Sequence, residues 1–230
     1  MKANPRRTNG FIFFVAALLA FAILSGCQSG PTKPAAGRME MDLKRIAVLP
    51  VSNMHAIYGD GVNFRCPLSG RAFIVGAVAP DAEAYLTGQV YSILRRRENV
   101  HVISPDRAVG AQSKVLRDSP EAMCGAPELM QIAQSLDADA VLVGRVYRFV
   151  QRTGTNYFAR SPASVSFSLL LVDARQGNLL WEGHFTETQR SLSENLLKIG
   201  AFFKRKMRWL TAEELAVYGI EEVFRSFPVK

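Results

Sequence analysis

The chain has 230 residues, of which 48% are hydrophobic and 21% are charged. This ordinary globular balance excludes the disordered, collagen-like and coiled-coil classes, and three cysteines are too few for a disulfide-dense mini-protein. The net charge of +8 and the hydrophobicity are both skewed at the N-terminus, so the first residues differ in character from the rest of the chain.

Residues 1–26 have the pattern of a secretory signal peptide. Lys2, Arg6 and Arg7 precede an uninterrupted run of 14 apolar residues, 11–24. A membrane-spanning helix needs about 20 apolar residues, so this run is short for a permanent anchor. The alternative is an uncleaved inner-membrane helix over residues 10–27, with the basic residues on the inner side.

The junction after this run, Leu24-Ser25-Gly26-Cys27, resembles the lipobox of bacterial lipoproteins. The resemblance implies cleavage before Cys27, a diacylglycerol group on its thiol, and an acyl chain such as palmitate on its new amino group. Two acyl chains hold a protein stably at a bilayer, whereas one holds it only marginally. Gln28 follows the cysteine in place of Asp, which implies the outer membrane in the enteric sorting scheme.

Residues 27–40 are interpreted as the lipidated cysteine and a flexible tether, because they are rich in Gly, Pro, Ser and Ala and lack an apolar period. The signal holds three basic residues and no acidic ones, so the mature chain keeps 25 basic and 20 acidic residues, a net charge of +5. Such a mild charge on an exported chain argues against nucleic acid as a partner.

The remaining residues, 41–230, are predicted to form a single α/β (α+β) domain. Apolar residues at helical spacing, from Ala82 to Leu94, predict a helix from Pro80 to Arg97. A long Gly- and Pro-containing loop is expected over 52–79. The other elements expected in this half are strands at 45–51, 73–75, 100–104 and 140–150, and a helix that starts at Ser119-Pro120 and is restarted or kinked at Pro127.

The pattern then changes to a period of two. Apolar residues from Val165 to Leu171 alternate with serines, and together with 179–185 they predict a hairpin with one buried face. Two helices are expected to close the chain, one around 196–210 and one that begins with a capping box at 211–214. Alternating helices and strands followed by a strand meander predict a mixed sheet packed by helices.

Cys66 and Cys124 remain as thiols once Cys27 is lipidated. In an oxidising envelope they are predicted to form a disulfide, with two buried free thiols as the alternative. The two residues are 58 positions apart. A bridge closing this loop would contribute about 4 kcal/mol in the chain-entropy model.

Motifs for catalysis, cofactors or metals are absent from the sequence, which has no phosphate-binding, dinucleotide, zinc-protease or nucleophile-elbow pattern. We therefore expect that the chain is not an enzyme and does not use a cofactor. His55, His101 and His184 are each isolated in sequence from any Cys or carboxylate at metal-ligand spacing. Asp137 and Asp139 are interpreted as a helix-to-strand turn, with a cation site as the alternative.

Two basic stretches are also open to two interpretations. Arg95–Arg97 end a predicted helix, where positive charge complements the helix dipole, and binding of phosphate headgroups is the alternative. Residues 198–209 combine basic and apolar side chains. They are interpreted as a sheet-packing helix with a solvated basic side, and a helix lying on anionic lipid is the alternative.

Three segments resemble the CsgG-like and TolB-N-terminal-like envelope lipoproteins. Residues 45–50, RIAVLP, are similar to their opening "iaVlPf" strand, and residues 136–146, LDADAVLVGRV, to their "lgaDavlvGsV" turn. Residues 170–181 resemble their "l.lvDa.tGevlW" hairpin. The matches follow the family order, and such hydrophobic-framework motifs specify a fold better than a function.

This resemblance implies a role in envelope assembly, since members form an oligomeric secretion pore, activate peptidoglycan synthases or act as periplasmic adaptors. A pore needs amphipathic strands of about 9–11 residues, and only the loops 52–79 and 151–163 are spare. We therefore expect a non-enzymatic adaptor or assembly factor with an envelope protein partner, alone or oligomeric. A CsgG-like secretion channel is the alternative, and an envelope hydrolase would need His101 or His184 beside a serine and a carboxylate.

Overall fold

The structure is a computed structural model that describes residues 43–115, 125–155, 159–189 and 209–229. All of them belong to one compact unit. The elements in these ranges are β1 (Arg45–Val48), β2 (Ser52–Asn53), α1 (Met54–Tyr58), β3 (Asn63–Arg65), β4 (Ala72–Ile74), α2 (Ala82–Arg95), β5 (His101–Ile103), α3 (Pro105–Val115), α4 (Ala126–Ser135), β6 (Ala140–Val150), β7 (Thr153–Gly154), β8 (Ala159–Ser161), β9 (Ser164–Asp173), β10 (Leu179–Thr188) and α5 (Ala212–Phe224).

A mixed six-stranded sheet forms the middle layer, which confirms the predicted α/β fold class. Its strand order is β10-β9-β6-β1-β5, and β2 pairs with β6 beyond the end of β1. β1 runs parallel to both β5 and β6, whereas β9 is antiparallel to β6 and to β10. The short β1 is an apolar run, as expected for a parallel strand covered on both faces.

Helices α2 and α5 cover one face of the sheet, hereafter the apolar face. Leu86, Val90 and Leu94 of α2 and Leu215 and Ile220 of α5 are buried there against apolar side chains of β1, β6 and β9. The predicted capping box starts α5: the Glu214 N–H donates to Thr211 Oγ1 at 3.2 Å, and the Thr211 N–H donates to Glu214 Oε2 at 3.0 Å. The prediction of this helix start is confirmed.

Helices α3 and α4 and the β3–β4 hairpin cover the opposite face, hereafter the mixed face. Leu129 and Ile132 of α4 are buried there, together with Phe64 and Phe73 of the hairpin. The short strand predicted at 73–75 is β4, one residue earlier, whereas β3 and α1 lie where a loop was expected and α3 was not predicted. The sequence of α3 has no apolar periodicity that would predict a helix, because α3 buries a single residue, Ala108.

The β9–β10 hairpin is more buried than predicted. β9 is buried on both faces from Ser164 to Val172, so the expectation of one buried face is wrong for this strand. Its serines find partners across the sheet, since the Ser168 hydroxyl bonds to Tyr147 at 2.9 Å and the Ser166 hydroxyl to Thr186 at 2.8 Å. Hydrogen bonding makes polar side chains compatible with burial.

Two predicted elements cannot be compared with the fold. The predicted helix start at Ser119-Pro120 lies outside the described residues. The predicted helix around 196–210 also lies outside them, except for residues 209 and 210. A hydrogen bond connects the described residues on either side of the segment 190–208, since the Leu210 N–H donates to Gln189 Oε1 at 2.9 Å.

Candidate functional site

The lipidation site, Cys27, lies outside the described residues, as do Cys124 and the basic segment 198–208. Lipidation and the role of that segment stay predictions. Within the described ranges, no helix is long and apolar enough to cross a bilayer. In those same ranges there is no group of three or more His, Cys, Asp or Glu side chains placed to hold a metal ion.

Cys66 follows β3 and is a buried free thiol on the mixed face. The Arg145 guanidinium of β6, itself 1% exposed, donates to Cys66 Sγ at 3.0 Å and lies 5.9 Å from the centre of the Phe64 ring. The disulfide predicted between Cys66 and Cys124 is not seen, and because Cys124 lies outside the described residues it stays a prediction.

Burial and the Arg145 charge act on two neighbouring groups, and the pKa values of these groups shift in opposite directions. Burial raises the pKa of the Cys66 thiol, but the Arg145 charge and hydrogen bonds from Ser69 and Leu68 outweigh it, so the net pKa is lowered. Burial raises the pKa of Tyr147 to about 12, against smaller opposing effects of Ser168 and Arg145. Arg145 therefore organises a buried polar cluster beneath the β3–β4 hairpin.

Asp137 and Asp139 form the turn that joins α4 to β6. Asp139 Oδ2 accepts from the backbone N–H groups of Lys44 and Arg45 at 3.0 and 2.9 Å, and Asp137 pairs with the Arg45 guanidinium. Asp137 has a positive φ of 52°, which Asp tolerates better than most residues. The carboxylates bind the start of β1, which agrees with the turn interpretation.

His184 of β10 lies opposite Ser168 in the strand register, with Glu182 nearby on the same strand. The Ser168 hydroxyl bonds instead to Tyr147, and the Glu182 carboxylate pairs with Arg71 at 3.1 Å. Partial burial lowers the pKa of His184, as does Arg71, while Glu182 opposes this. Serine, histidine and carboxylate are neighbours here, but no relay of hydrogen bonds joins them among the described residues.

One of the three arginines at the basic end of α2, Arg97, contacts the C-terminal part of the domain. The Arg97 guanidinium donates to the carbonyl oxygens of Val229 at 2.9 Å and Phe224 at 3.3 Å. Phe224 is the last residue of α5, where helix carbonyls lack internal partners, and Val229 lies in the segment that follows this helix. Arg95 and Arg96 remain exposed.

A groove lies where the parallel strands β1 and β5 end, between α2 and α3. The chain crosses from β1 to β5 through α2 on the apolar face and returns to β6 through α3 and α4 on the mixed face. In open α/β sheets, ligands bind in the crevice at such a change of direction. We take this groove as the candidate functional site.

The groove has a volume of about 430 Å³, within the ordinary range for binding sites of roughly 300–1,000 Å³. Its surface is formed by Val51 after β1, Ala84 and Gly88 of α2, and Val109 of α3, whose side chain is 47% exposed. The Val51 N–H donates to Thr87 Oγ1 at 2.9 Å, which fixes the end of β1 against α2. The result is an open groove whose exposed apolar side chains are Ala84 and Val109, with Val51 only 6% exposed beside them.

Two carboxylates border this surface. Glu83 lies one turn before Thr87 on α2, and its Oε2 accepts from Asn53 Nδ2 at a long 3.5 Å. Asp106 lies in the first turn of α3, is exposed, and has no side-chain hydrogen bond or ion pair in the described part of the chain. The groove therefore combines an apolar surface with two negative charges.

Gly88 lies inside α2, as Gly110 lies inside α3, at positions where glycine costs about 1 kcal/mol relative to alanine. A Cβ at Gly88 would meet no atom within 4 Å. The packing of the described residues does not require glycine there. The groove residues were not predicted from the sequence, although a glycine within a strong helical pattern was an available signal.

No protein-family model and no curated protein matches the chain. Solved structures similar to it include the PelC dodecamer from Paraburkholderia phytofirmans, with 17% identity over 86% of this chain and 93% of that chain and a TM-score of 0.45. Lipoprotein GNA1162 from Neisseria meningitidis has 15% identity over 71% of this chain and 98% of that one, with a TM-score of 0.42.

The C-terminal domain of LpoB from Escherichia coli is also similar, with 15% identity over 67% of this chain and 88% of that chain and a TM-score of 0.39. These similarities include a bacterial lipoprotein. All three identities and TM-scores are low, and no function, partner or assembly state follows from them.

Proposed function

We propose that this chain is a lipid-anchored adaptor of the bacterial cell envelope that binds a protein partner and has no enzymatic activity of its own. The observation that carries the proposal is the junction Leu24-Ser25-Gly26-Cys27 directly after a basic flank and a run of 14 apolar residues. That pattern directs export and lipidation, and the groove between α2 and α3 offers a surface for a partner.

In this proposal residues 1–26 are removed, Cys27 carries the lipid, residues 27–40 form the tether and residues 41–230 form the binding domain. Fully stretched, the 14 residues 27–40 reach roughly 50 Å at about 3.5 Å per residue. The domain would then work at a distance from the periplasmic face of the outer membrane.

Lipidation is tested by growing cells with an alkyne analogue of palmitate and analysing the N-terminal peptide by mass spectrometry. The native chain should begin at an acylated Cys27, and Cys27→Ser should remain uncleaved and unlabelled. Cys66→Ser is the matched control, because it removes another cysteine and should keep the label. A native chain that begins at Met1 without fatty acid contradicts the proposal.

Assembly state separates the adaptor from the channel. The detergent-extracted protein should elute as a monomer or small oligomer in size exclusion with light scattering. A ring-sized particle that conducts ions in planar bilayers would instead indicate a CsgG-like secretion channel and would contradict the adaptor role.

A further inference from the structure

The groove between α2 and α3 has a chemical character that selects among possible occupants. Its surface is apolar at Val51, Ala84 and Val109, and the exposed Val109 is one of the few large apolar side chains of the described residues that remain open to solvent. Glu83 and Asp106 border it from the two helices. An acidic border around an apolar surface favours ligands that combine apolar and positively charged groups.

Gly88 is an independent observation in the same place. It is exposed on the groove side of α2, and a Cβ there would contact nothing in the described fold. Glycine on a helix surface is used where another backbone or a ligand approaches closely. No described residue makes that approach at Gly88, so the position leaves room for a partner backbone at the groove.

We propose that the groove binds a short segment of a partner protein in which an apolar side chain is flanked by Lys or Arg. The apolar side chain would contact Val51, Ala84 and Val109, and the partner backbone would pass over Gly88. The basic group would lie near Glu83 and Asp106. This inference rests on the proposed adaptor function and adds the chemistry of the partner.

The test uses the full lipoprotein in nanodiscs of uncharged phosphatidylcholine, so that basic probes do not bind the lipid. Phage-displayed random 12-residue peptides are selected on it, and the most enriched peptide is synthesised with a fluorophore for anisotropy titrations. Enriched peptides should carry Lys or Arg beside Leu, Ile or Phe. Enrichment of acidic or uncharged peptides overturns the proposal.

Two variants locate the binding. Gly88→Trp fills the groove and should weaken the peptide at least tenfold. The double variant Glu83→Gln/Asp106→Asn keeps the shape and should weaken it several-fold, with a smaller salt dependence. The matched control Glu98→Gln/Glu221→Gln removes two exposed carboxylates elsewhere on the domain and should bind as the native chain does.

Native affinity in both groove variants overturns the proposal, and the double variant keeps the test valid if Gly88→Trp does not fold. The other possible occupant is the basic segment of this chain itself. If peptides bind only after residues 191–207 are replaced by a short Gly-Ser linker, the groove is occupied by the chain and the partner proposal is wrong. None of these variants touches Cys27, so lipidation is scored separately and the two proposals fail independently.

Discussion

The two faces of the central sheet solve the same packing problem with different chemistry. The apolar face is closed by the two long helices α2 and α5, whose buried residues are nearly all apolar. The mixed face is partly closed by the three-residue strands β3 and β4, and it buries Arg145, Cys66, Tyr147 and Ser168. Short strands bury little apolar area, so directional polar contacts have a larger share in holding the hairpin.

Arg145 connects this hairpin to the sheet through several kinds of contact at once. Its guanidinium bonds to Cys66, lies over the Phe64 ring and is adjacent to Tyr147, which stacks on Phe73 with ring centres 4.1 Å apart. The mixed face therefore depends on one buried charged side chain for packing as well as for polar contacts, whereas the apolar face depends mainly on apolar packing.

The largest expected effect follows from truncating Arg145. Arg145→Ala removes buried packing, a hydrogen bond and a cation–π contact, and we expect the free energy of unfolding in urea to fall by about 3 kcal/mol. Arg145→Met keeps most of the volume without the charge, and we expect it to lose less than half as much. Equal losses for both variants would show that charge, not packing, dominates on this face.

Two helix glycines, one packed against a neighbour and one open, test how strongly the stability of the apolar face depends on side-chain volume. A Cβ at Gly219 of α5 would lie 2.5 Å from Cδ1 of Phe185, so Gly219→Ala should destabilise the protein by roughly 1–2 kcal/mol through overpacking. Gly88→Ala in α2 meets no neighbour and should stabilise it by about 0.5–1 kcal/mol. Thermal unfolding of both variants checks the difference, and two shifts of the same sign would contradict it.

On the mixed face, stability is also expected to depend on pH through Tyr147. Its pKa rises from 10.0 to about 12 on folding, so the neutral phenol stabilises the fold fully below pH 10, and this contribution is lost as pH rises toward 12. Tyr147→Phe lacks the hydroxyl bonded to Ser168 and should lose about 1 kcal/mol at pH 8. The gap between the two proteins should narrow above pH 10 in urea titrations, and a constant gap would contradict the assignment.

Prediction from sequence succeeded where a long regular pattern or a defined cap was present. β6 was predicted with its observed bounds, α2 and the β9–β10 hairpin to within a few residues, and α5 by its capping box. It failed for α3, for α1 and for β3, because one buried residue in α3 and the shortness of α1 and β3 leave too weak a periodicity, although β4 was predicted as a short strand at 73–75.

The candidate functional residues likewise include some that local sequence predicts and some that it does not. The signal peptide, the lipidation motif and the turn at Asp137 and Asp139 follow from residues that are close in sequence. The groove could not be predicted, because Val51, Glu83 and Asp106 become neighbours only when strand ends and helix starts meet at one edge of the sheet. Gly88 was visible in the sequence, but its open surroundings were not.

The sequence by itself determined the long strands, the start of α5, and a predicted address in the cell envelope, because these depend on local spacing of apolar, basic and capping residues. Tertiary structure decided which polar residues are buried and where a partner has room to bind. Arg145 and Cys66 are 79 positions apart and meet at 3.0 Å. Contacts of that range depend on the closed sheet and its covering layers, and no local pattern encodes them.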